Sequence, residues 1–535
     1  MAGWTFADVW ELVADRVPDA PCQIQGDRVV SWRDFDERAD GVARWLLDLG
    51  AVKQDKVAHY LYNCPEYLES MFGMYKAGLV PVNTNYRYAD EELLYLWDNA
   101  DAIAVVFHGT FAPRIEALRE KLPNIKGWLW VDDDSGPCPE WATPYEDAAS
   151  TKPGRVTAPW GRDGDDLYML YTGGTTGMPK GVMWRQDDLV GTLAAAFAAA
   201  VDADGNADLE AGGKLVTGPG GKGLPACPLM HGTGAFTAFS TLSTGGCIVT
   251  LAKRNFDAEE LLETIEAHKV NVLAVVGDAF CKPMLAALDS SPDRRDISSL
   301  IAIVSSGVMW SEETKQGLLK HHGGMLLSDN FSSSEALGMG ASVSTAAGTS
   351  NTAKFKLGEN ARVITEDGRD VVPGSGEVGM VAVRGRTPVG YYKDPEKSEK
   401  TFKIIDGARY SVPGDFATVE EDGTLRLLGR GSVCINTGGE KVFPEEVEEV
   451  LKTHPHVRDA VAVGVPDEKW GEAICAMVEP VPGAELDEAD VIAHVKSRLA
   501  AFKAPKRVLP VDTIGRAPNG KVDYKRLKAE ATARV

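Results

Sequence analysis

The sequence predicts an α/β protein in which a large N-terminal region of doubly wound sheets and helices is followed by a small α+β C-terminal domain. Apolar segments typical of strands alternate with segments of helical periodicity, and this alternation implies mostly parallel sheets. The 535 residues are too many for a single hydrophobic core, so two or more domains are expected. From residue 433 onwards, a helix and two apolar strands form a separate pattern, which predicts the compact second domain.

Each element of the N-terminal region is predicted from its hydrophobic periodicity and its end signals. The predicted elements, in chain order, are helices at 4–17 and 31–49, a strand at 57–61, a helix at 66–77 closed by Gly78, a strand at 79–82, a helix at 89–99, a strand at 102–107, and strands ending in glycine at 272–277 and 300–307. Segment 132–157, rich in Pro, Gly and Asp, is predicted to be a surface connection, and segment 202–223 a long loop or lid.

The C-terminal domain is predicted from one helix start and two strands. Pro444 and the acidic residues that follow it are typical of a helix N-terminus. Apolar runs at 460–465 and 473–478 predict strands, and the intervening Pro, Asp and Gly residues predict the connection between them.

Composition and charge exclude several function classes. The net charge of −22 argues against nucleic acid or an anionic membrane as a main partner, although a nucleotide needs only a local positive patch. The eight cysteines form no C-x-x-C pair or zinc-type cluster, so a reduced, cytoplasmic protein is expected. The N-terminus lacks a signal-peptide pattern, and the apolar run 193–201 is too short to span a membrane.

The stretch 171–181 has the composition of a phosphate-binding loop. It follows a strand-like apolar run and contains Thr172, Gly173, Gly174, Thr175, Thr176, Gly177 and Lys180. Glycines let backbone N–H groups approach an anion, threonines add donors and lysine adds a positive charge. It is not a P-loop, because Pro179 precedes Lys180 and no Ser or Thr follows it. A Gly/Thr hairpin without a ligand is the alternative for the glycines taken alone.

This loop resembles the phosphate loop of the adenylate-forming superfamily, which includes acyl-CoA synthetases, adenylation domains and luciferases. Further elements of that superfamily follow in its order at 227–234, 329–335, 410–415, 429–430, 438–441 and 516–521. The resemblance covers most of residues 30–528 and implies that the nucleotide is ATP.

The resemblance implies specific roles for the residues around ATP. The loop residues and Lys180 hold the β- and γ-phosphates, Glu335 binds the Mg²⁺ that bridges them, and Lys521 stabilises charge during adenylation. The other nucleotide-contacting positions are Gly307, Asn330, Phe331, Ser334, Asp415 and Arg430. Among these, Phe331 lies near adenine, Asp415 binds the ribose, and Ser334 replaces the usual threonine. For Gly307, a tight turn without a ligand is the alternative.

The resemblance also divides the chain and assigns the other two substrates. A hinge at Ser432 separates an adenylating region, 1–431, from a mobile domain, 432–535, that faces CoA with Gly438, Gly439 and Lys441. The implied acyl pocket is formed by His231, Gly232, Gly234, Gly277 and Ser306. No proton-transfer role is assigned to His231, and the small residues could instead pack against backbone.

The implied function is an ATP-dependent acyl-CoA ligase whose substrate is a sterol side-chain acid or a medium- or long-chain fatty acid. An aryl or short-chain acid is the alternative substrate. A stand-alone amino-acid adenylating enzyme is disfavoured, because residues 235–239 contain no acid to bind an amine. A luciferase-like oxygenase is not singled out, since Asn436 replaces a lysine linked to that chemistry. A non-catalytic relative is disfavoured because the charged residues of the family's site are all retained, namely Lys180, Glu335, Asp415 and Lys521. The expected partners are a carboxylic acid, ATP and CoA, with a homodimer also considered.

Overall fold

The computed structural model describes residues 3–172, 178–290, 295–308, 310–348, 353–437, 440–467, 471–499, 501–517 and 520–535. Within these residues the strands form three sheets of eight, fifteen and five strands. The first two sheets belong to the N-terminal region, and the third contains only strands from residue 435 onwards.

The first sheet carries the strand that leads into the predicted phosphate loop. Its order is Gly390–Tyr391, Lys180–Arg185, Leu167–Thr172, Val80–Asn83, Lys56–Tyr60, Ala102–His108, Gly127–Val131 and Thr143–Pro144. From Leu167–Thr172 onwards neighbouring strands are parallel, whereas Lys180–Arg185 returns antiparallel to Leu167–Thr172 and pairs Thr172 with Lys180. The hairpin therefore brings both ends of the predicted loop to one edge.

The second sheet consists of a parallel half and an antiparallel half. Its order is Arg28–Ser31, Pro21–Gln25, Cys247–Thr250, Lys222–Pro225, Val272–Val275, Ala302–Ser306, Leu326–Ser333, Ala336–Ser344, Lys354–Leu357, Thr424–Arg430, Asp415–Val419, Gly379–Arg384, Ala408–Ser411 and Phe402–Ile405, with Ala361–Ile364 beside Gly379–Arg384. Strands from Pro21–Gln25 to Leu326–Ser333 are parallel, and those after Leu326–Ser333 are antiparallel.

The third sheet forms the core of the C-terminal domain. Its order is Glu440–Val442, Ile435–Thr437, Gly471–Pro480 and Val457–Asp467, with Arg507–Pro510 parallel to Gly471–Pro480. The long hairpin of Val457–Asp467 and Gly471–Pro480 buries valine, alanine and methionine side chains on both faces. Helices on both faces cover it, as the predicted α+β domain requires.

Helices surround the sheets throughout the chain. Those of the N-terminal region are Phe6–Arg16, Trp32–Asp48, Pro65–Lys76, Asp90–Asn99, Ala112–Leu118, Tyr145–Ala149, Gln186–Leu193, Ala195–Ala198, Leu209–Leu215, Gly232–Ser243, Ala258–His268, Asp278–Ser290, Glu312–His321 and Pro395–Thr401. Those of the C-terminal domain are Pro444–Lys452, Glu488–Lys496 and Tyr524–Arg534, and short 3₁₀ turns cover Gly109–Phe111, Arg119–Lys121, Gly431–Val433 and Ala501–Lys503. No helix in the described ranges is both long enough and apolar enough to cross a membrane.

A buried lysine ties the first three helices together. The Lys76 side chain is fully buried, and its ammonium group lies 3.0 Å from Glu11, 2.7 Å from Asp36 and 2.8 Å from Asp40. The three carboxylates come from Phe6–Arg16 and Trp32–Asp48, so one cation crosslinks three helices. Charges buried this deeply are tolerated only when they are paired.

The predicted α/β fold is confirmed, with three local corrections. Segment 132–157 contains the strand Thr143–Pro144 and the helix Tyr145–Ala149, whose Tyr145 is buried, so it is not only a surface connection. Segment 202–223 contains the helix Leu209–Leu215, and the strand Lys222–Pro225 begins inside it. The antiparallel half after residue 326 was not predicted, because its short strands carry little periodicity and their pairing is non-local.

Candidate active site

One large cleft contains most of the predicted site residues. It has a volume of about 2650 Å³ and lies where the carboxyl ends of the parallel strands of the second sheet face the C-terminal domain. Ligands bind at this position in open α/β sheets. Its lining includes the predicted residues Thr172, Lys180, His231, Gly232, Ser306, Gly307, Asn330, Phe331, Ser334, Glu335, Asp415, Arg430 and Lys521.

The Glu335 carboxylate is fixed in the wall of the cleft. The Tyr391 hydroxyl donates to Glu335 Oε1 at 2.8 Å, and the Ser411 hydroxyl donates to the Glu335 backbone carbonyl at 2.6 Å. Glu335 is 8% exposed and Tyr391 is 5% exposed, so this carboxylate is oriented by one buried partner, Tyr391, and still borders the cleft. Burial and the nearby Glu335 charge raise the pKa of Tyr391, which keeps its hydroxyl protonated as a donor.

The two carboxylate oxygens of the neighbouring Asp415 differ in their hydrogen bonding. Arg430 Nε donates to Asp415 Oδ1 at 3.1 Å, whereas Asp415 Oδ2 is buried and has no hydrogen-bond partner within the described residues. Burial raises the pKa of the Asp415 carboxyl, and the Arg430 charge opposes that shift. A buried acceptor without a partner costs free energy unless a ligand satisfies it.

Lys521 enters the same cleft from the C-terminal domain. Its loop contacts the N-terminal region, since an added Cβ on Gly520 would lie 3.0 Å from Val308. Arg516 anchors that loop by donating to both oxygens of Asp459. Lys521 remains exposed toward the cleft, and the surrounding protein, together with the Arg430 charge, lowers the pKa of its ammonium group while Glu335 opposes that shift.

Lys180 forms an ion pair that the sequence did not suggest. Its ammonium group contacts Asp394 Oδ2, and the other oxygen of Asp394 accepts from the Lys397 N–H at 3.0 Å and caps the helix Pro395–Thr401. The Lys180 side chain is 41% exposed, so the pair is open to solvent and to an incoming anion.

The predicted acyl-pocket residues separate into two groups. His231, Gly232 and Ser306 line the cleft. Gly234 and Gly277 do not line it: an added Cβ on Gly234 would lie 2.6 Å from the Pro228 carbonyl oxygen, and Gly277 forms a turn with φ +52°. Gly234 therefore permits close backbone packing, which was the alternative considered from the sequence, whereas Gly277 permits a turn with positive φ. Burial lowers the pKa of His231 to about 3, and Lys521 and Arg87 add to this effect, so the imidazole is neutral.

The remaining predicted positions are placed as follows. Gly307 has φ +98° at the end of its strand, and Phe331 packs on Phe355 with ring centroids 5.6 Å apart. Ser328 Oγ donates to Asn330 Oδ1 at 3.3 Å, and Trp184 Nε1 donates to the Ser334 carbonyl at 2.9 Å. Gly173, Gly174, Thr175, Thr176, Gly177, Gly438 and Gly439 lie outside the described residues, as do the side chains of Ser432 and Lys441.

Two family comparisons cover both domains. The sequence pattern of the AMP-binding enzyme family matches residues 10–392, and that of the AMP-binding enzyme C-terminal domain matches residues 446–521. The chain belongs to the AMP-binding enzyme family. This confirms the family predicted from the sequence motifs.

Curated relatives align with the whole chain. A medium/long-chain-fatty-acid–CoA/3-oxocholest-4-en-26-oate–CoA ligase of Mycobacterium tuberculosis H37Rv is 38% identical over 532 residues, covering 99% of this chain and 96% of the relative. A 3-oxocholest-4-en-26-oate–CoA ligase of Rhodococcus rhodochrous is 37% identical over 540 residues, covering 99% of this chain and 96% of the relative. The crystal structure of the anthranilate CoA ligase AuaEII with anthranoyl-AMP superposes with a TM-score of 0.84 at 22% identity, covering 100% of this chain and 98% of that one, and shows the same fold.

Sequence reasoning assigned no role to two residues that contact predicted site residues of this AMP-binding enzyme. The first is Tyr391, which holds Glu335, and the second is Asp394, which pairs with Lys180. The dipeptide Asp394-Pro395 is a helix-start signal and could have placed Asp394 at a helix N-terminus. No sequence signal indicated its partner, because Lys180 lies 214 residues earlier.

Proposed function

We propose that this chain is an AMP-forming acid–CoA ligase, which converts a carboxylic acid, ATP and CoA into acyl-CoA, AMP and pyrophosphate. The main support is that Glu335, Asp415 and Arg430 of the N-terminal region meet Lys521 of the C-terminal domain in one cleft. Arg430 and Glu335 are close enough to Lys521 to shift its pKa, so the two domains contribute to a common electrostatic site. The names of the full-length relatives agree with this activity.

Asp415 and Lys180 supply the two ends of the proposed nucleotide site. Asp415 Oδ2 is a buried acceptor that a ribose hydroxyl would satisfy. Lys180 would exchange its carboxylate partner, Asp394, for phosphate oxygens, since the triphosphate carries more negative charge than one carboxylate. The loop 173–177, outside the described residues, connects two strands at this edge and would supply backbone N–H groups.

The residues around Glu335 suit Mg²⁺. A carboxylate oxygen is the ligand type that Mg²⁺ prefers, and the ion is usually held by one or two carboxylates together with substrate phosphates. The described residues contain no group of three or more His, Cys, Asp or Glu that could hold a metal by themselves. Glu335, oriented by Tyr391, would hold the ion, which would neutralise phosphate charge.

The proposed reaction has two halves. In the first, a carboxylate oxygen attacks the α-phosphorus of ATP, the bond to the bridging oxygen breaks, and pyrophosphate leaves with both bonding electrons. Lys521 would stabilise the developing negative charge. In the second, the CoA sulfur attacks the acyl carbon of the adenylate, loses its proton, and AMP leaves. The predicted rotation at Ser432, between regions 1–431 and 432–535, would remove Lys521 and present 438–441 to CoA.

We further propose that the acid is hydrophobic, either a sterol side-chain acid or a medium- or long-chain fatty acid. The cleft extends from His231 along apolar residues, including Phe236, Val272 and Val304, and the two relatives are named for such acids. An aryl or short-chain acid remains the alternative substrate. The predicted cytoplasmic location and homodimer belong to the same proposal.

A pyrophosphate-release assay tests the reaction class. Purified protein with ATP, Mg²⁺ and CoA should release pyrophosphate with at least one of octanoate, palmitate and a sterol acid, and less with acetate or benzoate. Acyl-CoA and AMP should appear in equal amounts. Absence of pyrophosphate with every acid would contradict the proposed function.

Lys521→Ala separates the two halves of the reaction. We expect the variant to lose adenylation by at least about 100-fold, the loss typical for one preorganised charge donor, while still converting a supplied acyl-adenylate to acyl-CoA. Lys525→Ala, an exposed lysine four residues later, is the matched control and should retain both halves. Equal loss of both halves in Lys521→Ala would contradict the two-arrangement mechanism.

A further inference from the structure

One side of the helix Gly232–Ser243 borders the cleft with four hydroxyl side chains and with Phe236. Thr233, Thr237, Ser240 and Thr241 line the cleft, and so does Thr244 just after the helix. Their spacings of three, four and seven place them on one side of an α-helix. The opposite side is buried and apolar, and its members are Ala235, Ala238, Phe239 and Leu242.

The second sheet forms the floor beneath this hydroxyl face. Val272, Val304 and Ser306 line the cleft from two adjacent parallel strands, and Gly223 continues the floor on the next strand. At Gly223 the helix approaches closely, since an added Cβ would lie 2.6 Å from Thr241 Oγ1. Thr241 therefore packs directly against the Gly223 backbone, and the lining continues past this contact to Lys222 and Thr244.

The hydroxyls near the start of the helix are partly committed to the protein. Thr237 Oγ1 donates to the Thr233 carbonyl at 2.8 Å, and Thr233 Oγ1 lies 3.5 Å from the Ser306 carbonyl as a long donor. Ser240 lies one turn beyond Thr237, is half-buried and borders the cleft, so its hydroxyl can both donate to and accept from a ligand. A channel that takes only hydrocarbon gains nothing from such a group, because an unmatched hydroxyl in an apolar environment is costly.

We propose that Ser240, flanked by Thr237 and Thr241, is a specificity-determining residue for acids that carry a hydroxyl or keto oxygen remote from the carboxylate. This deepens the proposed function, on which it rests, by naming a feature of the acyl group. The reacting end lies near His231, where Lys521 is close enough to lower the histidine pKa. Ser240 follows Thr233 by seven positions, so at about 1.5 Å per residue it lies about 10 Å from Thr233 along the helix axis.

Paired substrates that differ by one oxygen test this role. The pairs are 10-hydroxydecanoate with decanoate, and a ring-keto steroid carboxylic acid with its deoxy analogue. For at least one pair, the wild-type protein should prefer the oxygenated acid by about three- to tenfold in kcat/KM, the range of one net hydrogen bond. Ser240→Ala should bring this ratio near one, mainly through KM of the oxygenated acid, and Ser240→Thr should restore a preference.

Two controls keep the outcomes distinct. Ser243→Ala removes a hydroxyl from the buried side of the same helix, where Ser243 Oγ accepts from Trp10 Nε1 at 3.2 Å, and should leave the ratio unchanged. Octanoate measures the reaction itself and should be activated by both wild type and Ser240→Ala. If octanoate is activated but the ratio does not change in Ser240→Ala, the specificity role is wrong while the ligase function stands. If no acid is activated, the proposed function fails first.

Discussion

Replacing Asp415 by alanine should remove the ability to distinguish ATP from a nucleotide without ribose hydroxyls. The prediction rests on the unequal oxygens of this carboxylate: Oδ1 accepts from Arg430 Nε at 3.1 Å, and Oδ2 is buried without a partner in the described part of the chain. One acceptor is therefore available to the ribose. The wild-type protein should consequently prefer ATP over 2′,3′-dideoxyATP in the adenylation half-reaction.

The size of this preference follows from one hydrogen bond to a charged acceptor. Such a bond contributes about 1.5–3 kcal/mol, and a factor of ten corresponds to about 1.4 kcal/mol, so the preference should be about 10- to 100-fold in kcat/KM. In Asp415→Ala it should fall to within about threefold of unity. Because the ratio is measured within one protein, any loss of stability from unpairing Arg430 affects both nucleotides equally.

The assay is acid-dependent pyrophosphate release with each nucleotide, using the acid that gives the highest rate. Asp422→Ala is the matched control, since this carboxylate lies on the exposed turn before Thr424–Arg430 and pairs with Lys354 at 2.9 Å. It should keep the wild-type preference. If Asp415→Ala also keeps a preference of tenfold or more, the unoccupied oxygen does not receive the ribose and the reasoning is refuted.

Three further predictions concern groups outside the ribose site. Asp394→Asn keeps the helix cap but removes the carboxylate charge that competes with the ATP phosphates for Lys180. KM for ATP should therefore fall by up to about fivefold, the limit for a largely exposed ion pair. An unchanged or higher KM would contradict this prediction. Burial and the adjacent Glu448 raise the pKa of Glu445, so ionisation of this carboxyl destabilises the folded protein increasingly as the pH rises above 4.5. The Tm of Glu445→Gln relative to wild type should therefore increase from pH 6 to 9, whereas the Tm of the exposed control Glu366→Gln should not. A Tm difference that does not depend on pH would contradict this prediction. Lys76→Met leaves three buried carboxylates without their cation and should cost about 3–5 kcal/mol in urea denaturation, with a loss below 1 kcal/mol as the contrary result.

Local sequence signals predicted the elements that have strong periodicity or clear ends. The helix Trp32–Asp48 lies within the predicted 31–49 because Ser31 accepts from the Asp34 N–H as an N-cap and an apolar side is buried. Gly78 ends the next helix with φ +63°, as its position in the sequence indicated. By contrast, the helix Leu209–Leu215 was predicted to be a loop, because two glycines within it lower helix propensity and packing against Trp4 and Leu12 compensates for them.

The site was predictable to the extent that its residues belong to contiguous motifs. Glu335, Asp415 and Lys521 each lie in a short recognisable string, and the structure brings all three to one cleft. Their supporting partners, such as Tyr391 for Glu335, are fixed by strand pairing between distant segments, which the spacing in the sequence does not encode. Gly234 illustrates a different difficulty, because a small residue near a motif can serve backbone packing as well as a pocket.

The charges of the cleft explain how a protein with a net charge of −22 can bind a nucleotide polyanion. Lys180 and Arg430 each contact a carboxylate, Asp394 and Asp415 respectively, and Lys521 lies near Glu335. The cations are thus locally compensated, and long-range attraction of ATP is not expected. When ATP binds, the charged side chains of the cleft must instead exchange their partners within the protein for phosphate, ribose or metal partners at short range. The two cations are similarly exposed, Lys180 at 41% and Arg430 at 43%, but the carboxylate Asp394 is 27% exposed and Asp415 only 8%. We therefore expect the exchange to begin at Asp394 and the triphosphate to be recognised before the buried Asp415 receives the ribose.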